Sequence, residues 1–237
     1  SYIAGDRMSS LSVSASKTDG GKLSYQWYEN DTFNNEGGTA IENANSSSYM
    51  LGTASEGGTK YYYCVVTNTV QGYSESVVSD AAKITVKSVL DLIGDKLVGY
   101  GTLEAPYLIE NVQDYQEIAE LVSSGLTFKG MYLKQTAENI TLPDDWEPIG
   151  VAKNKLAFSG IIDGNNNTVT VPEGGLPLLG YVVGAEVKNL NIYGKKIAGY
   201  GLVNNLEGVG LSGDAITIDN VTLKSGSSTL KSGLIGT

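Results

Sequence analysis

The chain has no histidine, one arginine (Arg7) and one cysteine (Cys64) among its 237 residues. Histidine is the usual side chain for acid–base and metal chemistry near neutral pH, and arginine is the usual residue for planar recognition of anions. Catalysis would therefore have to depend on Asp, Glu, Lys, Tyr or Ser. These absences predict a protein that is not an enzyme, with no catalytic residues, no metal site and no cofactor.

Positive charge and long apolar runs are also scarce. The formal net charge is −10 and the pI is about 4.5, so the chain repels phosphate backbones. No run approaches the roughly 20 apolar residues of a membrane span, and no basic and apolar leader opens the sequence. We expect no nucleic-acid partner, no membrane insertion of this segment, and an excerpt from a longer polypeptide whose signal and anchor lie elsewhere.

The chain is rich in turn-forming residues, which separate short stretches of alternating apolar and polar residues. Its 30 glycines, together with many Asn, Ser and Thr residues, favour short strands joined by tight turns. In residues 1–87 the alternation has a period of two, which is the spacing of half-buried strands. The alternating sets are Leu11, Val13 and Ala15; Leu23, Tyr25 and Trp27; Tyr62, Cys64 and Val66; and Ile84 and Val86. Several such strands in under 90 residues predict a β-sandwich.

The order of Trp27, Tyr62 and Cys64 resembles the immunoglobulin class, in which a Trp packs on the second cysteine of a disulfide. The segments 10–15, 23–28, 46–49 and 61–68 resemble the repeated Ig-like modules of Gram-positive surface proteins. The resemblance implies that the first edge strand is truncated and that Val13 faces Cys64. We expect Cys64 to be a buried small hydrophobe, the alternative being a reactive thiol, and Tyr28, Tyr61 and Tyr63 to point away from the core.

A linker at residues 88–100 precedes one clear helix signal. Asn111 is a good N-cap, Asp114 adds negative charge to the first turn, and Gly125 offers a left-handed stop. Between them lies one apolar stripe, formed by Val112, Tyr115, Ile118, Ala119, Leu121 and Val122. We predict an amphipathic helix that covers the open end of the β unit that follows; binding a partner is the alternative.

The remainder, residues 101–237, repeats itself. Residues 187–192 recur as 218–223, and residues 201–203 recur as 233–235; residues 175–180 form a shorter third copy. A period of this length made of short strands and glycine turns predicts stacked coils, as in a parallel β-helix. Asn189 and Asn220 are then expected to share a corner.

This second region also resembles the surface proteins of Gram-positive bacteria and Bacteroidetes that carry glycine-rich "GLUG"-type repeats. The resemblance covers residues 101–109, 146–150, 158–169 and 187–190. It implies a secreted, cell-wall-attached and often adhesive protein without catalytic residues. We therefore predict an all-β chain: an Ig-like β-sandwich (1–87), a linker (88–100), and a right-handed parallel β-helix (101–237, truncated at its end) capped by one short α-helix.

Two sets of side chains in the repeat region are candidates for function. Exposed tyrosines on a rigid solenoid suit recognition of protein or glycan, so Tyr181, Tyr193 and Tyr200 are the candidate binding residues, taken as pointing outward. Residues 163–167 are favoured as a tight turn over a calcium loop, because the distal ligand of such a loop is missing. Acids for a polysaccharide-active enzyme would be Asp144, Asp145, Asp163, Asp214 and Asp219.

The function predicted from these observations is that of a surface adhesin. It would be extracellular, monomeric and non-catalytic, and would bind a host protein or a glycan, host immunoglobulin being one specific version. A structural stalk within a larger cell-wall protein is the first alternative, and a polysaccharide-active β-helix enzyme is the second.

Overall fold

The computed structural model of the chain describes residues 1–194, 202–206 and 217–225. Strands account for 39% and helices for 10%, which confirms the all-β class. Within the described residues no helix has the length and apolar character needed to cross a bilayer.

The chain divides into two compact units, Ser1–Leu92 and Ile93–Thr237. The segment predicted as a linker is not an extended connector. It contains a short helix, α1 (Val89–Ile93), that apolar alternation had not predicted, and Ile93 and Leu97 are both buried. The second unit therefore begins several residues before the predicted position 101.

The first unit is built on a mixed sheet with the order β1-β8-β6-β3-β4, to which β7 is added along β6. A second, small sheet consists of β2 and β5. The strands are β1 (Tyr2–Ile3), β2 (Leu11–Ser12), β3 (Lys22–Asn30), β4 (Thr39–Ala40), β5 (Ser48–Tyr49), β6 (Gly58–Val70), β7 (Tyr73–Val78) and β8 (Ala82–Lys87). Strand β1 runs parallel to β8 at one edge of this sheet.

The core of this unit is a cluster of Trp27, Ala44 and Cys64. Trp27 and Cys64 are direct cross-strand partners on β3 and β6, and Val13 packs against them as predicted. The Trp27 indole Nε1 donates to the Ser46 carbonyl at 2.9 Å, so the buried ring has its polar atom satisfied. Apolar side chains of the small sheet, Leu11 and Tyr49, close the cluster from the other side.

Tyr63 points away from the Trp27–Cys64 core, as predicted, but it is buried on the other face of the sheet. It stacks on its cross-strand partner Tyr28 with ring centroids 5.1 Å apart, but only 4% of it is accessible. The segment that contains Gly38 lies over the ring, and the Gly38 N–H donates to the Tyr63 hydroxyl at 3.0 Å. A side chain at Gly38 would place its Cβ 2.9 Å from the Tyr63 ring, so glycine permits this cover.

The second unit consists of parallel ladders. One ladder has the order β18-β15-β12-β10-β9, another β11-β13-β16-β19, and a third pairs β14 with β17. The elements are β9 (Tyr107–Ile109), α2 (Val112–Ser123), β10 (Tyr132–Gln135), β11 (Asn139–Thr141), a 3-10 turn (Ala152–Asn154), β12 (Ile161–Asp163), β13 (Thr168–Thr170), β14 (Leu179–Val182), β15 (Glu186–Lys188), β16 (Asn191–Gly194), β17 (Val203–Leu206), β18 (Thr217–Asp219) and β19 (Thr222–Ser225).

The ladders confirm the registers that the repeats predicted. Val187 pairs with Ile218 and Ile192 with Leu223, both displaced by 31 residues. Leu179 of the third copy pairs with Val203, as the recurrence at 201–203 predicted. The further recurrence at 233–235 lies outside the described residues.

The predicted asparagine corner is present. Asn189 and Asn220 both adopt left-handed backbone, with φ of 51° and 49°. The Asn220 amide donates to the Asn189 side-chain oxygen at 3.0 Å, and the Asn189 amide donates to Asp163 Oδ1 at 3.1 Å. These side-chain hydrogen bonds thus connect the ends of β12, β15 and β18 and satisfy the polar groups there.

Helix α2 is also confirmed. The Asn111 side chain caps its first turn, and the Asp114 carboxylate accepts from the Asn111 N–H at 3.1 Å, which completes a capping box. Tyr115, on the buried face, donates its hydroxyl proton to Gln135 Oε1 at 2.9 Å. Gln135 is fully buried at the end of β10 and donates in turn to the carbonyls of Ala137 and Thr168. The helix is thereby linked to β10 and, through Gln135, to Thr168 of β13.

We predict that the Cys64 thiol is inert in the folded chain. The side chain is fully buried, and burial raises the pKa of the Cys64 thiol, so little thiolate forms at neutral pH. Ellman's reagent should react negligibly with the native chain at pH 8 and stoichiometrically in guanidinium chloride. Fast labelling without denaturant would contradict this packing.

We predict further that Asn189→Ala destabilises the second unit more than Asn189→Gly does. Both variants lose the side-chain hydrogen bonds, but only alanine meets the steric cost of left-handed backbone, about 1 kcal/mol. Urea unfolding followed through the fluorescence of buried Trp146 measures the difference. Equal losses of stability in the two variants would show that the left-handed backbone at Asn189 contributes nothing to the difference in free energy of unfolding.

Candidate binding face

The ladder β11-β13-β16-β19 presents two rows of side chains away from the interior. Between the rows, Ile140, Val169 and Ile192 point inward and are buried, as period two requires. The first outward row consists of Asn139, Thr168, Asn191 and Thr222. The second consists of Thr141, Thr170 and Tyr193, and Tyr193 is in register with Lys224. We call the seven outward residues from Asn139 to Thr222, without Lys224, the polar face.

The polar face carries hydroxyl and amide groups without charge. The Thr170 hydroxyl donates to Asn139 Oδ1 at 2.7 Å, and the Asn191 amide donates to the Asn166 carbonyl at 2.7 Å. These bonds fix side-chain orientation, while Asn139, Thr141 and Thr222 remain exposed to solvent. Neighbouring parallel strands lie about 4.8 Å apart, so four strands give a flat array about 14 Å long.

Tyr193 is the aromatic side chain of this array. It lies on β16 beside the buried Ile192, and 36% of it is accessible. The structure therefore places Tyr193 on the surface, as expected. Its neighbours along the row, Thr170 and Thr141, had not been singled out from the sequence, because their strands are only three residues long and the register was unknown.

Tyr181 does not belong to this face, and its outward assignment is wrong. Only 6% of it is accessible, and every residue of β14 is buried. Residues on both faces of the strand are buried, and residues 149–150 lie alongside it: Ile149 forms a parallel bridge with Leu179, and the Gly180 N–H donates to the Ile149 carbonyl at 2.8 Å. Period two cannot mark an outward residue on such a strand. Tyr200 lies outside the described residues.

The candidate acids are not brought together. Asp144 and Asp145 are exposed in the loop before Trp146, whereas Asp163 and Asp219 lie on the ladder β12-β15-β18 with Lys188 between them in register. Asp163 also accepts from the Asn165 N–H at 2.9 Å and so closes the tight turn predicted for residues 163–167. Asp214 lies outside the described residues.

A groove elsewhere on the second unit does hold carboxylates. It has a volume of about 650 Å³ and lies between the solvent face of α2 and the loop 145–147. Its charged lining residues are Glu120, Asp145 and Glu147, and only Asp145 had been considered from the sequence. Trp146 forms part of the wall, but it is buried and its Nε1 donates to the Pro177 carbonyl at 3.1 Å.

Comparison with known proteins adds no relative: no family model, no curated protein and no solved structure matches this chain.

Proposed function

We propose that this chain is a non-catalytic binding fragment of a bacterial surface protein and that its polar face binds a neutral glycan. The observation that carries the proposal is the array itself: hydroxyl and amide groups in two regular rows, with one exposed aromatic ring among them. Such groups donate to and accept from sugar hydroxyls, and a tyrosine ring packs on the apolar face of a pyranose. An extended polymer suits a flat solenoid surface.

We also infer a specific fold for each of the two units from its strand pairing and its buried core. The parallel pairing of β1 with β8, the β2–β5 sheet and the Trp27–Cys64 core support an Ig-like sandwich. Three parallel ladders, filled inside with aliphatic side chains, support a parallel β-helix, and we infer a right-handed coil from the general preference for right-handed parallel connections. Extracellular, wall-attached location follows from the resemblance to Ig-like and GLUG-type modules.

The proposal predicts that Tyr193→Ala weakens binding to a neutral oligosaccharide roughly three- to tenfold, because the ring contact is lost. Tyr193→Phe should retain most of the affinity. A glycan array identifies the oligosaccharide, and calorimetry on each variant gives the affinities. Binding should change little between low and physiological salt, because the oligosaccharide has no charge.

Tyr100→Ala is the matched control, since Tyr100 is a tyrosine of the same unit with 79% of its surface accessible and lies off the polar face. An equal loss in this control would mean that the polar face is not the site. Capture of a serum protein such as immunoglobulin, with no glycan bound, would favour a protein partner. If nothing binds at micromolar concentration, the role of structural stalk replaces adhesion.

The groove with Glu120, Asp145 and Glu147 favours a second candidate, a polysaccharide-active enzyme. Glycoside hydrolysis needs two carboxyl groups about 5–10 Å apart across the scissile bond. Release of reducing ends from plant and bacterial polysaccharides, abolished in Glu147→Gln but retained in Tyr193→Ala, would establish that activity. We expect no release, because Glu120, Asp145 and Glu147 are all exposed to solvent, whereas the general acid of such an enzyme is held in an apolar pocket.

A further inference from the structure

The segment that joins β3 to β4 is a loop with a single apolar side chain. Residues 31–37 read Asp-Thr-Phe-Asn-Asn-Glu-Gly, and 73% of Phe33 is accessible to solvent. Its ring lies against Tyr61 of β6, with ring centroids 5.4 Å apart and an angle of 46° between the planes. Most of an aromatic ring is therefore in contact with water. We call residues 31–37 the aromatic loop.

The aromatic loop is fixed by hydrogen bonds near both of its ends. The Asn30 amide donates to the Glu36 carbonyl at 3.0 Å, and Asn30 Oδ1 accepts from the Thr32 N–H at 3.3 Å. Near the other end, the Asn35 amide donates to the Ser79 carbonyl at 3.0 Å. Because these bonds order the loop before a ligand arrives, binding does not incur the entropic cost of ordering it.

The charges of the loop favour a neutral ligand. Lys60 Nζ lies 2.6 Å from Asp31 Oδ1, so a cationic ligand would have to compete with Lys60 for this carboxylate. The other charged side chain of the loop is the exposed Glu36. An anionic ligand is repelled by the chain as a whole, whose net charge is −10.

The surroundings of Phe33 fit a sugar better than a protein surface. Hot spots of protein interfaces lie within well-packed patches, whereas the neighbours of Phe33 along the loop, Thr32 and Asn34, are polar and exposed. A pyranose has both characters. Its C–H face packs on an aromatic ring, while the hydroxyl groups at its rim bond to hydroxyl, amide and carboxylate groups.

We propose that the aromatic loop is a binding site for a single neutral pyranose. The sugar packs on Phe33, and its hydroxyl groups bond to the side chains of Asp31, Thr32 and Asn34. This site lies on the first unit and goes beyond the proposed function, so either site can fail while the other stands. One ring contact gives only millimolar affinity, so the loop stays largely empty at the micromolar oligosaccharide concentrations that test the polar face.

The three phenylalanines make the test selective, because Phe128 and Phe158 in the second unit are fully buried. The whole chain, labelled with ¹³C in its phenylalanine rings, is titrated by NMR with the methyl glycosides of glucose, galactose, mannose and N-acetylglucosamine. We expect the Phe33 ring signals to shift with at least one of these sugars, with a dissociation constant of about 1–10 mM. The signals of Phe128 and Phe158 should not move.

Phe33→Ala should weaken binding of that sugar about fivefold or more, because the ring contact is lost, whereas Phe33→Tyr should stay within about threefold of the parent. Saturation transfer from the chain to the sugar measures the affinities, in a Tyr193→Ala background that weakens the polar face. Tyr73→Ala is the matched control. Tyr73 is 85% accessible, and it pairs with Val70 at the opposite end of β6 from Tyr61, so its loss should leave the affinity unchanged.

A further variant tests the ordering of the loop. Asn30 is a positioning residue, and Asn30→Ala removes its hydrogen bonds to Thr32 and Glu36 while leaving Phe33 in place. Binding of the same sugar should weaken about threefold or more, because the loop must then be ordered on binding. A Cys64 thiol that stays unreactive toward Ellman's reagent shows that the first unit of each variant remains folded.

No shift of the Phe33 signals with any of the four sugars at about 50 mM would overturn the proposal. Undiminished binding by Phe33→Ala or by Asn30→Ala, or an equal loss in Tyr73→Ala, would overturn it too. A dimer of the chain alone that Phe33→Ala dissociates would do so in favour of a second copy at the loop. A Phe33 shift in a chain whose polar face binds no glycan would support this site and contradict the proposed function.

Discussion

The register of the parallel ladders is the constraint on which the second unit depends. Leu133, Ile162 and Val187 lie in adjacent positions on one ladder, Ile140, Val169 and Ile192 on another, and all six are buried. Because successive side chains point to opposite faces, a slip of one residue would expose every one of them. The same constraint determines which residues face solvent, so the polar face follows from the packing of the interior.

The interior sets the register although paired strands are separated by different numbers of residues. Tyr107 pairs with Leu133, Tyr132 with Ile161, Ile161 with Glu186 and Glu186 with Thr217, displacements of 26, 29, 25 and 31 residues. The loops absorb these differences, since surface loops tolerate insertions at small entropic cost. Left-handed asparagines follow β15 and β18 at the same position of the register, and α2 contacts the end strand β9 and is bonded to β10 through Tyr115 and Gln135.

Much of this arrangement could be predicted from the sequence, because it is local or repeated. The helix has its cap, stripe and stop within 15 residues, and the repeats at 187 and 218 specify a register directly. The burial of individual side chains could not be predicted where it depends on segments that are far away in the sequence. Tyr181 lies on a strand whose two faces are both buried, and Tyr63 is buried because the Gly38 segment folds over it.

The most direct test of the central claim is a titration of the chain, labelled at its threonine methyl groups, with the oligosaccharide that an array identifies, followed by NMR. The account predicts chemical-shift changes at Thr141, Thr168, Thr170 and Thr222, which share the polar face, and none at Thr59 or Thr85 in the first unit. Changes confined to residues off the polar face, with these four methyl groups unmoved, would contradict it.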